Sequence, residues 1–403
     1  MYYVSVTGSD SSAGSLSAPW RTIGHAASQA GAGSTVLIMG GEYKEDVKLT
    51  VSGSEGNPIV FKDNGSETVS VRSFNITASH VAAEDLAITG AGGSCVTIAP
   101  GLTDVTIKND QIDHCGSDGV HFTRPGNPPS TNYTTNSQIV GDTITNVGLT
   151  DSEANNITIY ANYLTVQAND MTGTPNDALD AWGDHLTIRK NNIHDISNTH
   201  GNHNDAFQTW TGLSDGAEGN PVTNLLFEQN RIANVTGSNS HGFMLEGPGH
   251  HDWTVRDNIF ENIGSIGMVL GITGTGNSQQ NLDIYNNTFY KAGSGDDIEY
   301  NSTDTGICAD NIIQGGGGIY ITHGTTVTEG YNLLYETTIN TTPGPHDITA
   351  NPDFVNPTTH DYHLQPTSPA TGTADDGTLI QPINPYDYTG TPTTTPPNRG
   401  AYQ

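Results

Sequence analysis

The chain has 403 residues, 33% of them hydrophobic, with 48 glycines and 13 Lys+Arg against 43 Asp+Glu, a formal net charge of −30. That balance argues against nucleic acid and anionic membranes as partners, and no apolar run reaches the length of a transmembrane helix. An anionic polysaccharide would be repelled unless cations bridge it. Oligomeric state leaves no mark on the sequence.

The chain opens at Met1-Tyr-Tyr-Val without a secretory apolar stretch, a start expected of a mature secreted protein carrying an added Met. Residues 1–54 read as an N-terminal cap and first strands: strand, loop and a short amphipathic helix around Ala26-Ala-Ser-Gln-Ala30. A solenoid needs such a cap, because an open coil exposes apolar core and unpaired strand edges.

Residues 55–340 are dominated by one recurring phrase, apolar-x-apolar-x-x-Asn-x-apolar. It appears as Leu164-Thr-Val-Gln-Ala-Asn169-Asp-Met171, Leu186-Thr-Ile-Arg-Lys-Asn191-Asn-Ile193 and Leu225-Leu-Phe-Glu-Gln-Asn230-Arg-Ile232. It returns around Asn258, Asn287 and, more weakly, Asn311, while Asp110 and Asp142 hold the polar slot earlier. A period of roughly 20 to 40 residues with strand-like alternation marks stacked coils sharing a core. The fold class expected is all-β, a right-handed parallel β-helix (solenoid) with an Asn ladder. Each phrase is read as one short strand followed by a bend. A buried Asn there bonds its own turn and the Asn above and below, satisfying groups otherwise orphaned in the interior. Residues 124–132 and 212–222 break the period as loops. Residues 341–403, rich in Pro, Thr and Gly, read as an irregular tail packed on the helix, all within one structural domain.

Three cysteines, Cys95, Cys115 and Cys308, make no disulfide framework, and each is expected as a buried hydrophobe. The opening module through Gly40-Gly-Glu-Tyr43 and Asn57-Pro-Ile59 resembles the start of secreted right-handed β-helix proteins of the pectate-lyase-like superfamily. Asn351-Pro-Asp-Phe, Ser368-Pro-Ala370 and Arg399-Gly-Ala-Tyr402 resemble their closing segment. The resemblance implies this fold and an extracellular location. It leaves the activity open, since the superfamily hosts lyases, hydrolases, epimerases and non-enzymes.

A second strand follows each Asn phrase, and aligning these strands groups the candidate site. They read Asn176-Asp177-Ala-Leu-Asp180-Ala-Trp182, Asn204-Asp205-Ala-Phe-Gln208-Thr-Trp210 and Ser240-His241-Gly-Phe-Met-Leu-Glu246. Equal positions on adjacent coils stand about 4.8 Å apart, which puts Asp177, Asp205 and His241 in one column. Asp180 and Gln208 follow in the next, then Trp182, Trp210 and Glu246. Carboxylates so close repel, so one should keep its proton; an acid and a base side by side suit glycoside cleavage. Trp182 and Trp210 offer faces for sugar rings, and His200 and His203 stand ready to position Asp205. Asp118 and His121 fall at the edge of this groove, and His250, His251 and Asp252 read as a solvated turn. For any one of these aspartates, a turn-forming role is the commoner explanation.

The order Asn176-Asp177, Asn204-Asp205, Ser240-His241-Gly242 resembles the polygalacturonase-type pectinases. That resemblance implies Asp177 as the group activating water, Asp205 as general acid and His241 as the residue orienting them. Asn204 replaces the first Asp of that family's doublet, and no Arg-Ile-Lys strand follows. The leading expectation is a secreted hydrolase of a neutral or weakly charged polysaccharide, needing no cofactor. Its alternatives are a uronate-directed lyase or epimerase, with Asp177, Asp180 and Asp205 holding Ca²⁺, and a non-catalytic glycan-binding β-helix.

Overall fold

In the computed structural model, residues 1–65, 67–197, 203–212, 219–237, 239–271, 279–301, 305–322, 325–337, 343–380 and 382–403 are described. His200 and most of the 212–222 loop lie outside them. The chain forms two compact units, Met1–Gly183 and Asp184–Gln403. Both are built of parallel strands coiled as a right-handed parallel β-helix, with strand-to-strand pairing between successive coils.

The recurring phrase is a short strand followed by a corner that opens a second strand. In one coil of the second unit, Thr187–Arg189 ends before Asn191, and Asn192–Ser197 begins after it in a new direction. Phe207–Trp210 supplies a third strand. The residue before each ladder Asn makes the break: Lys190, Gln229, Asp257, Asn286, Asp310 and Tyr331 all have φ between 53° and 62°. Non-glycine residues pay on the order of 1 kcal/mol for that left-handed conformation, so something must hold them there.

The ladder does so. Backbone N–H and side-chain Nδ2 of Asn191 donate to Asn230 Oδ1 at 3.0 and 2.9 Å, and the same pairing continues through Asn258, Asn287, Asn311 and Asn332. From Asn230 to Asn332 each amide nitrogen also reaches a backbone carbonyl, as Asn258 Nδ2 does on Phe227 at 2.9 Å. In the first unit the slots are Asp110, Asp142 and Asn169, linked by Asp110 N–H to Asp142 Oδ1 (2.6 Å) and Asp142 N–H to Asn169 Oδ1 (2.8 Å).

Inside the second unit, like side chains stack in columns. Leu225, Trp253 and Leu282 share one register; Ile193, Ile232, Phe260, Phe289, Ile313 and Leu334 share another. Phe260 and Phe289 lie 4.7 Å apart and nearly parallel. This unit's tail segment covers the strands through hydrogen bonds: the Arg399 side chain donates to the Asn332 and His346 carbonyls at 2.7 and 2.9 Å, and Gly400 N–H to that of Asp310 at 2.7 Å.

In the first unit a seven-residue helix, Ile23–Gln29, buries Ile23, Ala26 and Ala27. Thr22 caps it at His25 N–H, and the Glu45 carboxylate accepts from Ile23 and Gly24 N–H at 3.0 and 2.9 Å. Cys95 and Cys115 form a disulfide with Cα atoms 5.3 Å apart, which corrects the expectation of two buried thiols. The Val96–Ile98 and Val120–Phe122 strands pair in register and bring the cysteines preceding them within bonding reach. Cys308 is a buried free thiol. Among the described residues no helix is long and apolar enough to cross a membrane.

Candidate active site

Strand Ser240–Glu246 carries the most concentrated chemistry of the second unit. It pairs with Asn204–Asp205 and Phe207–Trp210 in the register Asn204 to Ser240, Asp205 to His241, Gln208 to Met244 and Trp210 to Glu246. Phe207 and Phe243 point inward and stack at 4.3 Å, with the Trp253 ring edge-on to both. Strand alternation then turns Gln208, Trp210, Met244 and Glu246 outward.

Asp205 is wholly buried. Its Oδ1 accepts the backbone N–H of His241 and that residue's Nδ1, each at 2.8 Å, and its Oδ2 faces His203 Nδ1 at 3.3 Å. Burial pushes the carboxyl pKa up, but hydrogen bonds from His203 and His241, reinforced by their charge, carry it below the usual value. The group is a carboxylate at neutral pH, so the role of proton donor does not suit it. An ionised Asp205 can only accept, so in the neutral form of His241 the proton sits on Nδ1 and Nε2 keeps its lone pair.

Glu246 is half-buried on the outward side. Burial raises its pKa; His203 and His241 oppose this and Asp205 adds to it. Its backbone carbonyl is held by His250 Nε2 at 3.2 Å. His250 is fully buried, with its pKa pushed down to about 3 by desolvation, and its Nδ1 accepts from Val222 N–H. It is therefore a neutral structural group and not part of a solvated turn. His251 and Asp252 beside it are exposed and paired at 2.8 Å.

Glu299, which the sequence did not single out, pairs in register with Val269, the partner of Met244. Its pKa is also raised, first by burial, with His241 among the charges it feels. Counting the register two coils beyond Met244 would have found it. Gln208 is only 5% exposed, its amide near Met244 sulfur, whereas Trp210 is partly open. His203 keeps 37% of its side chain accessible.

The first unit holds its own buried polar network. His121 Nδ1 meets Asp118 Oδ2 at 2.6 Å, and Asp118 Oδ1 accepts Asn155 N–H at 2.9 Å. Asn155 donates to Thr158 and Asp180 Oδ2 at 3.0 and 2.8 Å and accepts from Asp177 N–H at 3.1 Å. Asp177 and Asp180 are both nearly inaccessible. Trp182, expected as a sugar platform, is 2% exposed, because its ring lies flat on Tyr160 at 4.6 Å. That stacking uses the face a sugar would need. For a metal, Asp177 and Asp180 supply carboxylate oxygens of the kind a hard cation takes, although Asp180 Oδ2 and Thr158 Oγ1 already accept from Asn155 Nδ2.

Residues 2–142 match the family described as Pel9A-like, right handed beta helix region. Over 69 residues the chain is 41% identical to pectate lyase PEL9 of Emericella nidulans, covering 17% of each protein. The chain thus matches only 14% and 17% of the lengths of its curated relatives. Pectate lyase Pel9A superposes with a TM-score of 0.60 at 14% identity over 100% of this chain and 96% of that one. The XylC complex with xylose gives 0.65 at 10% identity over 99% and 98%. Structure and comparisons agree on the fold, a right-handed parallel β-helix. Its N-terminal part carries the Pel9A-like region.

Proposed function

We propose that the protein is a secreted glycoside hydrolase that cleaves a polysaccharide at the outward face of strand Ser240–Glu246. The observation that carries this reading is the inaccessible, ionised Asp205 fixing His241, on the strand that also presents a half-buried carboxyl of raised pKa, Glu246. Glu246 is the proton donor: its proton passes to the glycosidic oxygen as the bond from the anomeric carbon to that oxygen breaks. Water attacks the same carbon and yields its proton to His241 Nε2. Asp205 supports the imidazolium that results and keeps the ring in place. Trp210 offers the partly open ring on which a sugar can rest.

A neutral sugar suits this face. The third-strand segments Phe207–Trp210, Ser240–Glu246, Ile266–Leu270, Ile298–Tyr300 and Ile319–Ile321 contain no Lys or Arg to meet a substrate carboxylate. The Cys95–Cys115 disulfide supports an extracellular location.

A second reading, a uronate-directed lyase, is favoured by the match to the Pel9A-like region and to a pectate lyase relative. It requires a cation to neutralise the substrate carboxylate, which Ca²⁺ held by Asp177 and Asp180 would supply. Incubation with a panel of neutral and uronate polysaccharides, with and without Ca²⁺, separates the two. Hydrolysis predicts new reducing ends without ultraviolet absorbance, independent of Ca²⁺. Absorbance rising together with reducing ends would replace the hydrolase reading with the lyase one.

A further inference from the structure

Glu299 is a carboxyl of the third-strand face that the proposed hydrolysis leaves unused. Strands Ser240–Glu246, Ile266–Leu270, Ile298–Tyr300 and Ile319–Ile321 run in register, with Met244, Val269, Glu299 and Tyr320 at one level. Phe243, Met268, Ile298 and Ile319, at the level before, are all buried, so strand alternation sends the Met244 level outward. Glu299 therefore lies two strand spacings, about 10 Å, beyond Met244 on the face that presents Glu246. A glycan must run across several coils to meet both carboxyls.

The Glu299 carboxyl is positioned without being used up. Asn301 Nδ2 donates to its Oε1, and Asn301 Oδ1 in turn accepts from Thr322 Oγ1 at 3.0 Å. Among the described residues no further donor meets this carboxyl. Glu299 and Tyr320 are both half-buried, so a carboxyl edge and a ring reach solvent side by side. Met244 and the nearly inaccessible Val269 form an apolar strip between this pair and the coil of Glu246. The His241 charge acts on Glu246 and on Glu299 alike, which sets both carboxyls around one stretch of the face. An acceptor for hydroxyls beside a ring and an apolar strip is the chemistry that holds a neutral sugar unit. A uronate at the same place would set carboxylate against carboxylate.

We infer that Glu299 and Tyr320 form a specificity subsite, which takes a neutral, hydroxyl-rich sugar unit several coils from the cleaved bond and turns away a uronate. The inference deepens the proposed hydrolysis and rests on its placement at this face. Calorimetric titration tests it on the full chain carrying Glu246→Gln, which suppresses turnover, with cellohexaose, xylohexaose, mannohexaose and hexagalacturonate. At least one neutral hexaose should bind, and hexagalacturonate should bind more weakly. Adding Glu299→Gln should weaken the neutral hexaose by about tenfold, the loss expected when a charged acceptor is removed, and should narrow the gap to hexagalacturonate. Adding Tyr320→Ala should weaken it severalfold. Both additions should leave the unfolding temperature unchanged. No binding of any neutral hexaose, or hexaose binding unaltered by Glu299→Gln, would overturn the assignment. So would hexagalacturonate bound as tightly as the neutral hexaose, or binding lost only together with a fall in unfolding temperature. Unsaturated products in the polysaccharide panel would instead overturn the hydrolysis alone, because the titration involves no cleavage.

Discussion

The first unit and the second use the same position at the start of their third strands, but with different chemistry. In the first, Asp118 Oδ1 accepts the N–H of Asn155, and Asn155 Oδ1 accepts that of Asp177, at 2.9 and 3.1 Å. In the second, Asp205 Oδ1 accepts the N–H of His241 at 2.8 Å. A side-chain oxygen bonding the next coil's amide is thus a fold device, a second ladder beside the asparagine one. Aspartate at this slot is by itself no sign of catalysis. What differs at Asp205 is the company: the next slot is itself an imidazole and His203 adds a second, whereas Asp118 has His121 and an asparagine in the next slot.

Exchanging the residues of the two slots sharpens that comparison. His241→Ala should lower turnover by about 10³-fold, within the range for a lost general base, while the protein stays folded. Asn155→Ala should instead cost about 2–3 kcal/mol of stability, because several buried partners lose their bonds. If Asn155→Ala removes turnover beyond what unfolding explains, the acids of the first unit take part in the chemistry.

Asp205→Asn keeps an oxygen for the His241 amide but loses the charge. Turnover should fall about 10²-fold. Because the folded pKa of Asp205 lies below its ordinary value, its contribution to stability is present above the unfolded pKa and is lost as pH falls through the folded one. Unfolding curves of Asp205→Asn should therefore lose the acid-side slope of the parent.

In the proposed hydrolysis Glu246 acts as the acid, so the parent's rate should decline as pH rises through its raised pKa. Glu246→Gln should reduce kcat by about 10²-fold and remove that alkaline limb.

The smallest effect concerns the asparagine ladder. Burial lifts Asp142 to about 7, and its Oδ2 has no hydrogen-bond partner. Between the unfolded value of 3.8 and about 7, the folded state holds the proton that the unfolded chain releases, so this group weakens the fold as pH rises. Asp142→Asn should raise stability by about 2 kcal/mol at pH 8 and by little near pH 4, read from denaturant midpoints.

The parallel coils were legible because each coil must fill the same inward amide slot, so Asn191, Asn230, Asn258 and Asn287 repeat. The three-strand shape of a coil was less so. The corner is made by a left-handed residue before each Asn, and Lys190, Gln229 and Tyr331 carry no side-chain signature for it. Asp205 and His241 could be aligned from spacing, since strand register is rigid. Charge state could not, because it depends on two imidazoles arriving from different segments. Trp182 shows the same limit, as its face is taken by Tyr160 from a neighbouring coil.

The most direct test is cleavage of a polysaccharide in ¹⁸O-enriched water, followed by mass spectrometry of the fragments. Hydrolysis through Glu246 and His241 predicts one heavy oxygen at each new reducing end, with incorporation lost in His241→Ala. Fragments that carry an unsaturated end and no solvent oxygen would contradict the account.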